Sequence, residues 1–328
     1  MKKFVKIAAY IVGVLVLFII AGLIFFNSRY PDVDKPRNVK VEITPERLKR
    51  GEYLANHVTG CMDCHGKRDW TKFSGPLVPG YGAKGGEKFG KEMGFPGNIY
   101  AKNITPANIG NWTDGELIRA ITQGVTKDDQ ALFPLMPYMG FNHLTKEDLY
   151  SIVAYIRSLE PMENNVPDTE LDFPLNFIVK TMPVKSFTPA PEIDRNDHAA
   201  YGKYLVTIAS CTDCHTQAKE GKPLPGMFLA GGMEFNLPMG TVRSANITPD
   251  KETGIGNWTK EEFVARFKTF DSDSAKNIPV GSHDYNTVMP WTFFSGMTEE
   301  DLGDIFEYLK TIKPVSNSVI RYTPAANK

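Results

Sequence analysis

Residues 61–65 read CMDCH and residues 211–215 read CTDCH. These two stretches hold all four cysteines of a 328-residue chain, each pair two residues apart and directly before a histidine. Thiols so placed have three chemical readings. Two Cys-x-x-Cys pairs match a tetrahedral four-thiolate zinc site, but that site would join the two stretches and leave both histidines idle. A thioredoxin-like redox pair expects a strand–helix–strand setting, and no alternating strand pattern flanks either motif. Cys-x-x-Cys-His is also the attachment signature of haem c. Two thiols on adjacent turns at a helix end reach the two vinyl groups of one porphyrin, and the next residue is carried under the iron. Only this reading uses every residue of both motifs, with Cys61, Cys64 and His65 at one site and Cys211, Cys214 and His215 at the other.

The motifs sit in a long internal duplication. RGEYLANHVTGCMDCH (50–65) matches YGKYLVTIASCTDCH (201–215), AKNITPANIGNWTDGELIRAITQG matches SANITPDKETGIGNWTKEEFVARFKTF, and LMPYMGFNHLTKEDLYSIVAYIRSLEP matches VMPWTFFSGMTEEDLGDIFEYLKTIKP, always in this order. The expected division is an anchor at 4–26, a linker at 27–43, one domain at 44–163, a linker at 164–195, a second domain at 196–316 and a tail at 317–328. Each domain reads as mainly α. A first helix is capped by Thr44, with Pro45 in its first turn, or by Asn196, and runs into the cysteines. A second starts after Thr113 or Thr259. A last one starts at Thr145 or Thr298, its apolar residues Leu149, Ile152, Val153, Ile156 and Leu159 stepping at helical spacing.

A haem iron needs a sixth ligand or an open position, and the duplication supplies a candidate. Met136 and Met289 coincide when the repeats are aligned through Pro137 and Pro290, whereas Met139 aligns with Thr292. A thioether opposite histidine is a common axial pair that raises the reduction potential. His57, His143 and His198 read as surface or satisfied histidines, and His283, six residues before Met289, is the rival ligand. Trp112, Trp258, Asn103 and Asn246, from the repeated NITP and NW, are candidate propionate donors beside their other reading as turn and packing residues. Arg243 is a candidate propionate cation in the second repeat, with Lys102 the nearest cation in the first. Tyr53 and Tyr204 read as structural, at the crossing of first and last helices, facing Tyr155 and Tyr308.

Lys2, Lys3 and Lys6 precede Ile7 to Phe26, a run without charge. Those residues span about 30 Å as a helix, the thickness of a bilayer core. The run exceeds the about 7–15 apolar residues of a cleaved signal, and Phe25-Phe26-Asn27 is not a small-residue cleavage site. The expectation is a retained transmembrane helix, with lysines on the cytoplasmic side and the rest of the chain outside. A formal net charge of −1 offers no basic field for nucleic acid.

With NITPDKETGIGNWT, MPW and MTEEDL in place, each repeat resembles a class I cytochrome c domain. The pair is similar to the membrane-anchored cytochrome c subunits of bacterial alcohol and gluconate dehydrogenases, over roughly residues 44–316. The resemblance implies a fold of two tandem class I cytochrome c domains after a transmembrane helix. It also implies two covalently bound haem c groups with iron held by His65 and Met136, and by His215 and Met289. The implied role is electron relay at the periplasmic face of the bacterial cytoplasmic membrane, between redox partner proteins such as a dehydrogenase, a quinol-oxidising complex, a small cytochrome or a terminal oxidase. Those subunits usually carry three haems, where this chain has two motifs. The first repeat also carries its own Gly-rich insert, GPLVPGYGAKGGEKFGKEMGFPG (75–97). The alternative is a haem enzyme, a dihaem peroxidase or related oxidase, with one labile sixth ligand; the same methionine in both repeats argues for a carrier, not an enzyme.

Overall fold

The structure, a computed structural model, describes residues 2–219, 221–281 and 284–325. It is 41% helical. The uncharged N-terminal run lies inside one helix, Lys2–Arg29, whose most apolar 18-residue stretch has mean hydropathy 2.9 and which has no buried residue. Its end meets the segment between the repeats: the Phe26 and Phe177 rings lie 6.5 Å apart, and Lys180 Nζ donates to Asn27 Oδ1 at 2.6 Å.

Both halves use one plan. In the first, the Pro45–Tyr53 helix packs on the Lys146–Ser158 helix; in the second, His198–Ile208 packs on Glu299–Thr311. A glycine makes each crossing close. A Cβ at Gly51 would run into the Ser151 carbonyl, and one at Gly202 into that of Asp304. Thr44, Thr145 and Thr298 cap as their sequence positions require, and Thr113 and Thr259 close full capping boxes with Glu116 and Glu262. The second first-helix is capped by Asp197, not Asn196. Asn196 instead turns its backbone and side-chain N–H groups onto Asp194 Oδ1, which leaves the free carboxylate one residue later to accept from Ala200 N.

The helical expectation needs one addition. Each half carries a small antiparallel sheet in which a hairpin gains its third strand from the chain after the last helix. Lys88–Phe89, Gly97–Tyr100 and Glu170–Leu171 form one, and Glu234–Leu237, Gly240–Arg243 and Tyr322–Pro324 the other. Parts of the stretches read as linker and tail are therefore strands, although residues 326–328 lie outside those described. Gly97 and Gly240 hold matching places, with φ of 139° and 142°, where a side chain would strike the third strand. Strands of two to four residues are too short to show alternation in sequence.

Tyr53 and Tyr204 do more than pack at their own crossings. Tyr53 Oη donates to Asp301 Oδ2 at 2.6 Å and accepts from Thr298 N; Tyr204 Oη donates to Asp148 Oδ2 at 2.7 Å and accepts from Thr145 N. Each tyrosine thus caps the last helix of the opposite half. The same carboxylates take an arginine from their own half or the segment before it, Arg50 on Asp148 and Arg195 on Asp301. Arg50 also donates to Tyr201 Oη at 2.9 Å, and the two occupy equivalent positions in the repeats. Reciprocal contacts of this kind describe a local two-fold relation. Burial first and the facing aspartate second push both phenols well above their ordinary range. Asp148 and Asp301 are 8% and 2% exposed, so Tyr204→Phe strips a buried carboxylate and a helix-end amide of one partner each. The expected loss is about 1–3 kcal/mol in chemical denaturation, and an unchanged midpoint would show that the contact contributes nothing.

Candidate haem-attachment sites

The first helix of each half leads to its cysteines through one left-handed residue. Gly60 (φ 71°) precedes Cys61, and Ser210 (φ 54°) precedes Cys211. That turn restarts a short helix, Cys61–Cys64 or Cys211–His215, and both cysteines of each pair line one cavity. No disulfide joins any of the four cysteines.

Each histidine is then oriented by a backbone carbonyl. His65 Nδ1 donates to Lys102 O at 2.6 Å, and His215 Nδ1 to Ala245 O at 2.8 Å. A carbonyl only accepts, so Nδ1 carries the proton and Nε2 is left as a lone-pair donor. Lys102 and Ala245 are equivalent residues, each directly before Asn-Ile-Thr-Pro. This assigns the NITP turn a task. Asn103 Oδ1 accepts from Thr105 N and Oγ1, and Asn246 Oδ1 does the same for Thr248, both at 2.8–3.0 Å. Asn103 Nδ2 binds Met162 O, and Asn246 Nδ2 binds Val315 O and Thr253 Oγ1. The turn so fixed presents the preceding carbonyl to the imidazole. Gly85 and Gly231 thread behind it at φ 74° and 72°, where a Cβ would strike Asn103 N or Asn246 N, and each donates its N–H to the histidine carbonyl.

A cavity of about 2190 Å³ spans both halves. Its walls include both cysteine pairs, both histidines, Met136, Met289, Trp112, Trp258, Asn103, Asn246 and Arg243. Single ligand pockets run about 300–1,000 Å³, so this space is larger than one such pocket. Cys64 and Cys214 have open surface, yet burial pushes their thiols up to about 12 and about 11, and Cys211 to about 12, with Cys61 also raised. The two facts agree if their open surface faces the cavity instead of bulk water. Raised thiols are the reverse of the lowered ones of a redox Cys-x-x-Cys pair. Among the described residues no three His, Cys, Asp or Glu side chains converge on a metal position, so the four thiols do not form one zinc site.

Met139, by contrast, is 50% exposed and outside the cavity wall. His57 lies against Phe293 and Gly296, His198 on Asp304, and His143 is exposed; His283 falls outside the described residues. The Trp112 and Trp258 indole N–H groups bond no protein atom among the described residues. Arg243 reaches the cavity wall, but its guanidinium is held by Glu234 and Thr323, and Lys102 Nζ is held by Asp168. Arg321, in the stretch read as a tail, lines the same wall, and its charge helps burial hold His215 below the ordinary imidazole range. Each Met-Pro turn also packs on the opposite half: a side chain at Gly140 would meet Thr207 and Ser210, and one at Gly296 the His57 ring.

Two cysteine pairs and two oriented imidazoles on one cavity are the outline of a c-type cytochrome, and comparison with known proteins agrees. No protein-family model matches the chain. Its homologues, at 26–32% identity over most of the chain, are cytochrome c subunits of alcohol, fructose and gluconate dehydrogenases, together with a diheme cytochrome c. The alcohol dehydrogenase (quinone) cytochrome c subunit of Gluconacetobacter polyoxogenes is 29% identical over 293 residues, covering 84% of this chain and 58% of that protein. The fructose dehydrogenase cytochrome subunit of Gluconobacter japonicus is 32% identical over 68% of this chain and 44% of its own length. The diheme cytochrome c-type protein of Cereibacter sphaeroides is 27% identical over 78% of this chain and 83% of its own. The chain thus spans less than two thirds of the alcohol, fructose and gluconate dehydrogenase subunits it matches.

Proposed function

We propose that this chain is a dihaem c-type cytochrome that relays electrons and is not itself an enzyme. Residues 44–163 and 196–316 act as tandem class I cytochrome c domains, carried on the outer face of the bacterial cytoplasmic membrane by the N-terminal helix. One observation carries the reading: two equivalent constellations, each a cysteine pair, a histidine with Nδ1 tied to a carbonyl, and a Met-Pro methionine, share one cavity. Haem c, when bound, supplies a one-electron centre whose potential follows its axial ligands and burial. The residues do the rest. Cys61 and Cys64, or Cys211 and Cys214, would fix the macrocycle; Lys102 O and Ala245 O aim the imidazole Nε2; Met136 and Met289 would offer thioethers; Trp112, Trp258 and Arg321, which line the cavity, would receive propionates. The same methionine in both halves favours two closed centres over a haem enzyme with a labile position. The relatives named as dehydrogenase subunits support a dehydrogenase as electron donor.

Cys61→Ala with Cys64→Ala should reduce covalently bound haem from two per chain to one, read by haem staining after denaturing electrophoresis and by absorbance of the denatured pigment. Cys211→Ala with Cys214→Ala should do the same. A count unchanged by either pair sinks the assignment.

A further inference from the structure

The stretch after the first histidine leaves its own half. Phe73 N donates to Ile278 O at 2.9 Å and Val280 N to Thr71 O at 2.8 Å, so residues 71–73 lie against 278–280 of the second half. Asn286 Nδ2 holds Lys72 O, Asn286 Oδ1 takes Ser74 N at 2.8 Å, and the Phe73 ring stacks on Phe270. At the tip stands Ser74, fully buried and left-handed at φ 63°. Its Oγ donates to Met289 O at 2.6 Å and accepts from Trp291 N at 2.9 Å. Pro290 has no N–H, so these are the two backbone handles flanking it, and one hydroxyl takes both.

The loop is held from behind as well. Arg68 donates through Nε to Gly75 O at 2.8 Å and through Nη2 to Ser74 O at 2.7 Å, while Nη1 lies 3.5 Å from Asp63 Oδ2 inside CMDCH. A buried left-handed serine is costly and persists only where its surroundings over-determine it. The first half has no counterpart. Among the described residues, no side chain bonds the Met136 carbonyl or the Tyr138 amide, which pair only with each other.

We propose that Ser74 is a positioning residue for Met289. A hydroxyl from the first half fixes the turn that offers the second site its thioether, and Arg68, bonded to the Ser74 and Gly75 carbonyls, ties the backbone that carries that hydroxyl to the first attachment motif. The two sites are therefore inequivalent, and a substitution beside the first motif acts on the second. This rests on reading Met289 as an axial ligand.

The test uses the full-length holoprotein extracted from membranes, with a redox titration that resolves both haems and a spectrum of the weak long-wavelength methionine–iron band. Ser74→Ala removes the hydroxyl and keeps the Cβ. The expected result is a lowered potential for the haem that Met289→Ala also lowers, with part of the band lost and the other haem unchanged. A loss of methionine ligation tenfold greater in the reduced than in the oxidised state corresponds to a fall of about 59 mV. Phe73→Leu, which loosens the same loop but spares the hydroxyl, should leave both potentials in place. If Met289→Ala moves neither haem, the ligand reading itself fails. If Met289→Ala moves one haem and Ser74→Ala moves none, or moves both equally, the positioning role is overturned.

Discussion

Met136→Ala and Met289→Ala should each lower the potential of one haem, and not the same one, by on the order of 0.1–0.3 V within the roughly 0.8 V range that axial ligands span. Both residues line the cavity that holds the two histidines, each begins a Met-Pro turn whose next amide closes onto the methionine carbonyl, and the neighbouring Met139 points to solvent. A thioether favours the reduced, less charged iron, so its loss stabilises the oxidised state. Equilibrium redox titration followed in the visible spectrum separates the outcomes. Two single-haem shifts fit the assignment, whereas no shift from either variant would mean that the sulfurs only pack.

The largest stability effect should come from Gly202→Val, about 3 kcal/mol or more in chemical denaturation. The His198–Ile208 helix approaches the Glu299–Thr311 helix so closely that even a Cβ would overlap the Asp304 carbonyl and crowd Ile305 N. That neighbour is backbone in the middle of a helix and cannot swing aside. Gly51→Val should act alike through Ser151. Because Tyr53 and Tyr204 join each half to the other's last helix, the loss should spread to both halves in one transition. Two separate transitions would contradict that coupling.

What could be read in the sequence follows from what repeats and what carries a side-chain signal. The cysteine pairs, the histidines, the threonine caps and the choice of Met136 over Met139 are residue identities at fixed spacing, and the duplication supplied each twice. The partners of His65 and His215 were hidden because they are carbonyls: Lys102 and Ala245 share a position, not a residue type. Asn103 and Asn246 read as possible propionate donors because an amide in a turn looks the same in sequence whether it serves the turn or a ligand. Arg243 drew notice by its place before SANITP, while Arg321 lies in a stretch with no match in the first repeat. Ser74 was invisible for a related reason, since it lies between the motifs that the two repeats share in sequence. Helical spacing put Tyr53 and Tyr204 at the helix crossings but cannot say which helix an hydroxyl reaches.

The most direct test of two covalent sites is the intact mass of the denatured chain purified from membranes, taken with a thiol count before and after reduction. The expected result is a chain carrying two haem masses with no thiol open to alkylation, since all four sulfurs are in thioether bonds. A chain with no added haem and four reactive thiols would contradict the account, as would one whose cysteines are joined as disulfides.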